Sequence, residues 1–166
     1  DFVRIRLQDE ERNNKPIGIY WAQAASVIAA SPFVERNNAI WPYRLPSALG
    51  LALAAVATLW AGRALLTQRA ALFGASLFAA GMLAGFEGMT AKTDALLLGF
   101  TTLAMAALAR IYALPDERRV IGSKELAGLF WLSLALAVLI KGPVAPLVAA
   151  LTLAAVGLWE RRWAWM

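Results

Sequence analysis

Neither cysteine nor histidine occurs in the chain. Their absence removes thiol nucleophiles, disulfides, zinc clusters and imidazole acid–base chemistry together, so no metal site is expected and any chemistry must use carboxylates, Lys and Arg. Charge is scarce as well: 16% of the 166 residues are Asp, Glu, Lys or Arg, against 60% hydrophobic, and the mean hydropathy is +0.59. That balance excludes an ordinary soluble domain and indicates an integral membrane protein. The apolar run of a secretory signal is also missing from the start, where Asp1 to Lys15 is charged. The first residue is Asp1, and Met166 closely follows Arg161-Arg162-Trp163 with no polar tail, so a piece of a longer chain is expected. The net charge of +5 would suggest nucleic acid in a soluble protein. Here the basic residues stand in short segments between apolar runs, which makes lipid phosphates the expected anions and excludes nucleic acid as the expected partner.

What is abundant is long uncharged sequence. After a polar segment over 1–15, whose Phe2-Val3-Arg4-Ile5-Arg6-Leu7 alternation hints at a short extended piece, Lys15-Pro16 makes a helix start. The run 16–34 has no charge, is richer in Ala than in Leu, and places Ile17, Tyr20, Trp21, Ala24 and Ile28 on one helical side. It reads as an interfacial helix. Five further runs, 45–62, 70–86, 95–114, 126–140 and 142–159, each have about the length that crosses a bilayer, and a backbone in lipid must satisfy itself as helix. The expected fold class is therefore all-α: a polytopic transmembrane bundle of about five spanning helices plus one interfacial helix. Gly81 and Gly85 form a small-xxx-small pair that suggests close helix packing. Trp41, Trp60, Trp131, Trp159, Trp163 and Trp165 mostly fall near run ends, as interfacial aromatics do.

The charges that interrupt this pattern are the candidates for function. Lys92 and Asp94 are two positions apart between two long uncharged runs, where ionisable groups are costly. One reading makes them boundary markers, with Asp94 as the N-cap of the next helix; the other makes them part of a site. Glu87 reads as a solvated loop residue. If 16–34 does not span, the turns at Lys92/Asp94 and at Lys141-Gly142-Pro143 share one membrane face with the N-terminal segment, while the Arg63/Arg69 and Arg110 to Lys124 loops share the other. The sixteen Lys and Arg divide evenly between the two faces, so their count sets no orientation. Their disposition differs: Lys15, Lys92 and Lys141 stand hard against helix ends, two of them beside glycine or proline, as an anion pocket at the mouth of a bundle requires.

Four short motifs resemble one family. Lys15-Pro16-Ile17-Gly18-Ile19-Tyr20-Trp21 is similar to the KPPLxYW-type segment of bacterial aminoarabinose transferases and their relatives related to protein O-mannosyltransferases. Arg44-Leu45-Pro46-Ser47 resembles the RLPS of their next membrane helix, Lys92-Thr93-Asp94-Ala95-Leu96-Leu97 their RTDALL, and Lys141-Gly142-Pro143-Val144 their TKGPV turn. These are C-type glycosyltransferases, membrane enzymes that move a sugar from a polyprenyl-phosphate carrier to a lipid or protein acceptor on the periplasmic or lumenal side. The resemblance implies a multi-pass inner-membrane protein with its site facing the periplasm. It also implies an undecaprenyl-phosphate-linked sugar as partner, and lipid A, another glycolipid or a protein as acceptor.

On this resemblance Lys15, Lys92 and Lys141 are lipid-phosphate-binding residues, while Asp94 and Tyr20 orient substrate. No catalytic residue is assigned, because the family's catalytic carboxylate lies upstream of the KPPLxYW-type segment; the fragment alone is expected to be inactive. Lys92 stands where the family has arginine, and Ile17-Gly18 where it has Pro-Leu, which replaces a planar fork by a point charge at one position. The implied chemistry suits a chain without His or Cys: held cations stabilise a phosphate leaving group while a carboxylate helps the acceptor attack. The alternative is a fragment of a transporter, with Lys92, Asp94 and Lys141 lining a charged path; a third reading is a non-catalytic scaffold.

Overall fold

Small residues fill much of the interior of this protein, among a few large apolar ones. Ala54, Ala57, Ala104, Ala106, Ala107, Ala137 and Ala145 are essentially fully buried, while Leu49, Val56, Phe73, Leu77 and Leu151 are exposed. In lipid there is no hydrophobic drive between helices, and small side chains let backbones approach closely enough for dispersion to act. The computed structural model describes residues 6–7, 10–11, 16–33 and 39–161, without the side chains of 6–7, 10–11 and 116–122. A minimal antiparallel ladder pairs β1 (Arg6–Leu7) with β2 (Glu10–Glu11), Arg6 opposite Glu11. The expected extended piece is thus described only over Arg6–Leu7. Among the described residues seven helices follow: α1 Gly18–Ala30, α2 Trp41–Leu65, α3 Gln68–Ala79, α4 Met82–Gly88, α5 Asp94–Tyr112, α6 Asp116–Lys141 and α7 Val144–Glu160, with a 3-10 turn over Ser31–Phe33. The fold is the helical membrane bundle that composition indicates.

Helix α5 lies at the centre, packed most extensively on α2 and α6. Its Leu96, Leu97, Ala104 and Ala107 join Phe130, Leu134, Ala137 and Ile140 of α6 in the core, closed by Ile19 of α1 and by Ala145 and Ala149 of α7. The α2–α5 crossing is set by Gly50 and Gly99: a Cβ on Gly50 would lie 2.5 Å from the Ala95 carbonyl oxygen, and one on Gly99 2.5 Å from the Gly50 carbonyl oxygen. The Gly81/Gly85 pair does not serve that purpose. Gly85 has open space where a Cβ would stand, and Gly81 is the extended residue before α4.

Two prolines explain a contact between α1 and α2. Pro42 sits in the first turn of α2, where a missing N–H costs nothing, but Pro46 lies within the helix. Without its N–H, Pro46 leaves the Pro42 carbonyl unfilled, and Ser26 Oγ lies 2.7 Å from that oxygen, as well as 2.8 Å from the Gln23 carbonyl in its own helix. Ser26 therefore faces the bundle, while Trp21, Ala24 and Ile28, from the apolar side read in the sequence, are exposed. The inward side is built instead from Ile19, Ala22 and Ala30, and Gly18 comes so close to the Leu139 carbonyl that a Cβ there would clash with it.

Among the described residues, three helices are long and apolar enough to cross a membrane: α2, α5 and the Ser123–Lys141 part of α6. The run expected over 70–86 is not one helix. It breaks at Ala80-Gly81 into α3 and α4, bent by 59°, and the crossings number four if that pair spans as a unit. Gly81 is extended there, and α3 is closed by its own last carbonyls. The fifth expected run, α7, has 17 residues, roughly 26 Å of helix against a hydrocarbon core of about 30 Å. Helix α6 begins well before position 126, so Trp131 falls mid-helix, not at an end. Trp163 and Trp165 lie outside the described residues.

Candidate functional site

At one end of the bundle the motif segments meet. Helix α4 stops at Gly88, and after five intervening residues Asp94 opens α5. Ser47, almost wholly buried nearly two turns into α2, donates its hydroxyl to the Lys92 carbonyl at 3.0 Å, fixing the turn between α4 and α5 against α2. Thr93 is buried beside it. Asp94 then reaches across to Lys141, the last residue of α6, in a hydrogen-bonded ion pair. Both partners sit at the favourable ends of their helices, the carboxylate in a first turn and the ammonium in a last turn. After Lys141 the chain reverses at Gly142, whose φ of +71° with ψ −146° is a conformation glycine alone adopts readily, and Pro143 leads into α7. Gly18, in the first of the four motifs, packs against Leu139, two residues before Lys141. Contacts thus join the second motif to the third and the third to the fourth, while the first packs on α6 just before the fourth.

Asp94 is not an N-cap. Thr93 precedes the helix in helical backbone geometry, no side chain caps it, and the Asp94 carboxylate is drawn instead to Lys141. Glu87 is not a solvated loop residue either. It lies in α4 with its side chain three-quarters buried, one oxygen 3.6 Å from Lys92 Nζ. The same ammonium stands 5.7 Å from the centre of the Phe86 ring, within reach of its negative face. Lys92 and Lys141 keep about half of their side-chain surface exposed, so both remain open to an approaching anion. Lys15 lies outside the described residues. Tyr20 is half-buried and packs against the core beside Ile19 rather than standing in the open.

Two cations and two carboxylates therefore alternate at this end: Glu87, Lys92, Asp94, Lys141. Sequence reading singled out three of them and missed Glu87, whose neighbours Phe86 and Gly88 look like ordinary helix-end residues; a charge within two residues of a glycine that ends an apolar run was the available signal. The opposite end has different chemistry. Arg110 stacks over Trp60 at 4.7 Å and donates to the Trp60 carbonyl at 3.1 Å, and Tyr112 hydrogen-bonds Glu160. Those groups are occupied in joining α5 to α2 and α7.

Known proteins resemble this chain in sequence profile and in fold. The profile of the dolichyl-phosphate-mannose-protein mannosyltransferases matches residues 23–166. The crystal structure of ArnT from Cupriavidus metallidurans in the apo state superposes with a TM-score of 0.85 at 22% identity, covering 98% of this chain and 29% of that one. The present chain thus spans under a third of the solved protein it matches. No curated protein sequence matches it.

Proposed function

Since the chain belongs to the dolichyl-phosphate-mannose-protein mannosyltransferase family, we propose that it is part of an integral membrane glycosyltransferase that moves a sugar from a polyprenyl-phosphate carrier to a lipid or protein acceptor. The observation that supports this most is the meeting of the motif segments at one end of the bundle through the Ser47–Lys92 and Asp94–Lys141 contacts. On this reading that end faces the periplasm of an inner membrane. Lys92 and Lys141 supply fixed positive charge to the carrier phosphate, and Lys15, from the segment just before α1, adds a third cation. A phosphate carrying one or two negative charges competes with Glu87 and Asp94 for these ammonium groups, so substrate entry exchanges ion-pair partners rather than filling a vacant hole. A leaving phosphate whose charge is held lowers the barrier to sugar transfer. Asp94, released from Lys141, orients sugar or acceptor, and Tyr20 braces α1 against the core. The carboxylate that activates the acceptor is supplied by the part of the enzyme preceding the Lys15 segment.

Helix α1 fits an interfacial role in this scheme. Its 13 residues make roughly 20 Å, short of the hydrocarbon thickness, and its outward Trp21 and Ile28 suit a helix lying at the headgroup boundary. The single break at α3–α4 is the one feature that favours a transporter. It has no counterpart in a second half of the chain among the described residues.

The test is binding of undecaprenyl phosphate to the full-length protein in detergent, read by native mass spectrometry with phosphatidylglycerol as a competing anionic lipid. Selective binding that Lys15→Ala and Lys141→Ala each weaken, by about tenfold for a lost charge-assisted contact, is the expected result. Binding no tighter than that of phosphatidylglycerol, or indifferent to both substitutions, would return the transporter to first place.

A further inference from the structure

Glu87 is poorly satisfied for a charge so far from water. Its Oε1 stands 3.6 Å from Lys92 Nζ, beyond hydrogen-bond length, and its Oε2 is buried without a hydrogen-bond partner. Among the described residues Lys92 is its only ion-pair partner. A largely buried carboxylate that loses its counter-ion is strongly disfavoured. Any anion that draws off the Lys92 ammonium therefore acts on Glu87 as well.

The two charges are tethered differently. Lys92 is anchored, its carbonyl accepting a hydrogen bond from the buried Ser47 hydroxyl of α2. Glu87 is carried by α4, a helix of seven residues between two joints: the extended Gly81, where the chain bends by 59°, and the non-helical residues 89–91. On the outer side of α4, Met82, Leu83 and Phe86 are exposed; on its inner side Gly88 presses on Leu51 of α2. A short helix packed on one side and jointed at both ends belongs to the least stable units of a fold, the ones that move.

Resting on the glycosyltransferase reading, we propose that α4 is a latch released by the carrier phosphate. The phosphate takes the Lys92 ammonium, Glu87 is left with a charge its surroundings do not compensate, and α4 turns about its two joints to carry that carboxylate into water. Two other responses would keep α4 in place. Sharing the ammonium sets phosphate and carboxylate, both negative, against one compact charge; a proton taken up by Glu87 would neutralise it where it stands. Release of α4 avoids the repulsion and needs no proton. The Glu87–Lys92 pair thus favours the closed position and the lipid phosphate the open one, each through its different affinity for the two.

The contact between Gly88 and Leu51 supplies a lock. A Cβ at position 88 would stand 3.4 Å from Leu51 Cβ, near the roughly 3.5–4.5 Å that a disulfide spans. In the full-length protein without other cysteines, Leu51→Cys combined with Gly88→Cys is compared oxidised and reduced, with undecaprenyl phosphate binding read by native mass spectrometry. The oxidised pair is expected to bind about tenfold more weakly than the reduced pair, a difference of about 1.4 kcal/mol. Adding Glu87→Gln, which leaves no charge to carry out, is expected to remove that difference. Equal binding in the two redox states would overturn the latch, because the phosphate would then be held with α4 in place. A loss on oxidation that survives Glu87→Gln would overturn it too, as would a pair that fails to close. A second reading needs no lock: nitroxides on Leu83→Cys and Leu132→Cys, both exposed, report the distance from α4 to α6. Undecaprenyl phosphate is expected to change it by roughly 5 Å, about one helix radius, and not to change it in Glu87→Gln; an unchanged distance in the otherwise native chain overturns the latch. A cysteine-free protein that binds no undecaprenyl phosphate overturns the glycosyltransferase reading itself, and the latch with it, a result distinguishable because it involves neither lock nor label.

Discussion

Asp94 and Lys141 separate what a residue does for stability from what it does for chemistry. Their ion pair is about half exposed on each side, and pairs of that kind contribute roughly 0–1 kcal/mol. Asp94→Asn is therefore expected to leave the thermal midpoint of the purified protein within a few degrees of wild type while sugar transfer falls by about a hundredfold, the scale of losing one electrostatic partner in a transition state. A midpoint that collapses with activity, measured by fluorescence-detected unfolding in detergent, would make the pair structural. The residues of this pair were legible in the sequence, since charges interrupting long apolar runs at a glycine- and proline-rich turn are rare. Their pairing was not, because it joins positions 47 residues apart across two helix ends and no local pattern encodes that distance. Glu87 escaped for a related reason: its burial comes from α3 and α5 folding over it, and the bend that brings α3 there has no period to read.

At the scale of the element, apolar runs told where helices lie but not how they pack. Periodicity pointed to Gly81 and Gly85 as the close contact, since a small-xxx-small spacing is the usual signature. The approach occurs instead between Gly50 and Gly99, one glycine on each of two helices, a pairing across sequence that spacing within one helix cannot show. A methyl group at position 50 meets the Ala95 carbonyl and the Leu96 Cα, both backbone atoms that cannot rotate aside. Gly50→Ala is thus expected to destabilise the bundle by about 1–3 kcal/mol through overpacking, while Gly85→Ala, with open space around it, is neutral or slightly stabilising because alanine favours helix. Thermal unfolding of both variants in the same detergent checks the contrast; equal effects would mean that α2 and α5 are not held by this crossing. The break between α3 and α4 was hidden for the opposite reason: the 70–86 run contains no charge or proline to mark it, and Gly81 is tolerated within helices as often as it ends them.

For the whole molecule, the central claim is that one end of the bundle holds a lipid phosphate and the other does not. The ends differ in what their charges do: Lys92 and Lys141 are half-exposed beside exchangeable carboxylates, whereas Arg110 and Glu160 are spent on holding helices together. Membrane class and helical architecture followed from composition alone, and the order of the motifs indicated the family. The even split of basic residues left the faces without a sign, and only the contacts between segments distribute them. Because this chain has no cysteine, single reporters are easily placed. In the full-length protein without other cysteines, Ala91→Cys and Val144→Cys, both exposed and flanking the lysines, are compared with Leu65→Cys at the opposite end. The measurement is the rate of labelling by a membrane-impermeant maleimide with and without undecaprenyl phosphate. The account predicts that Ala91→Cys and Val144→Cys label from the same side and are both slowed by the carrier lipid, with Leu65→Cys unaffected by it; labelling of the first two from opposite sides, or protection at position 65 alone, would contradict it.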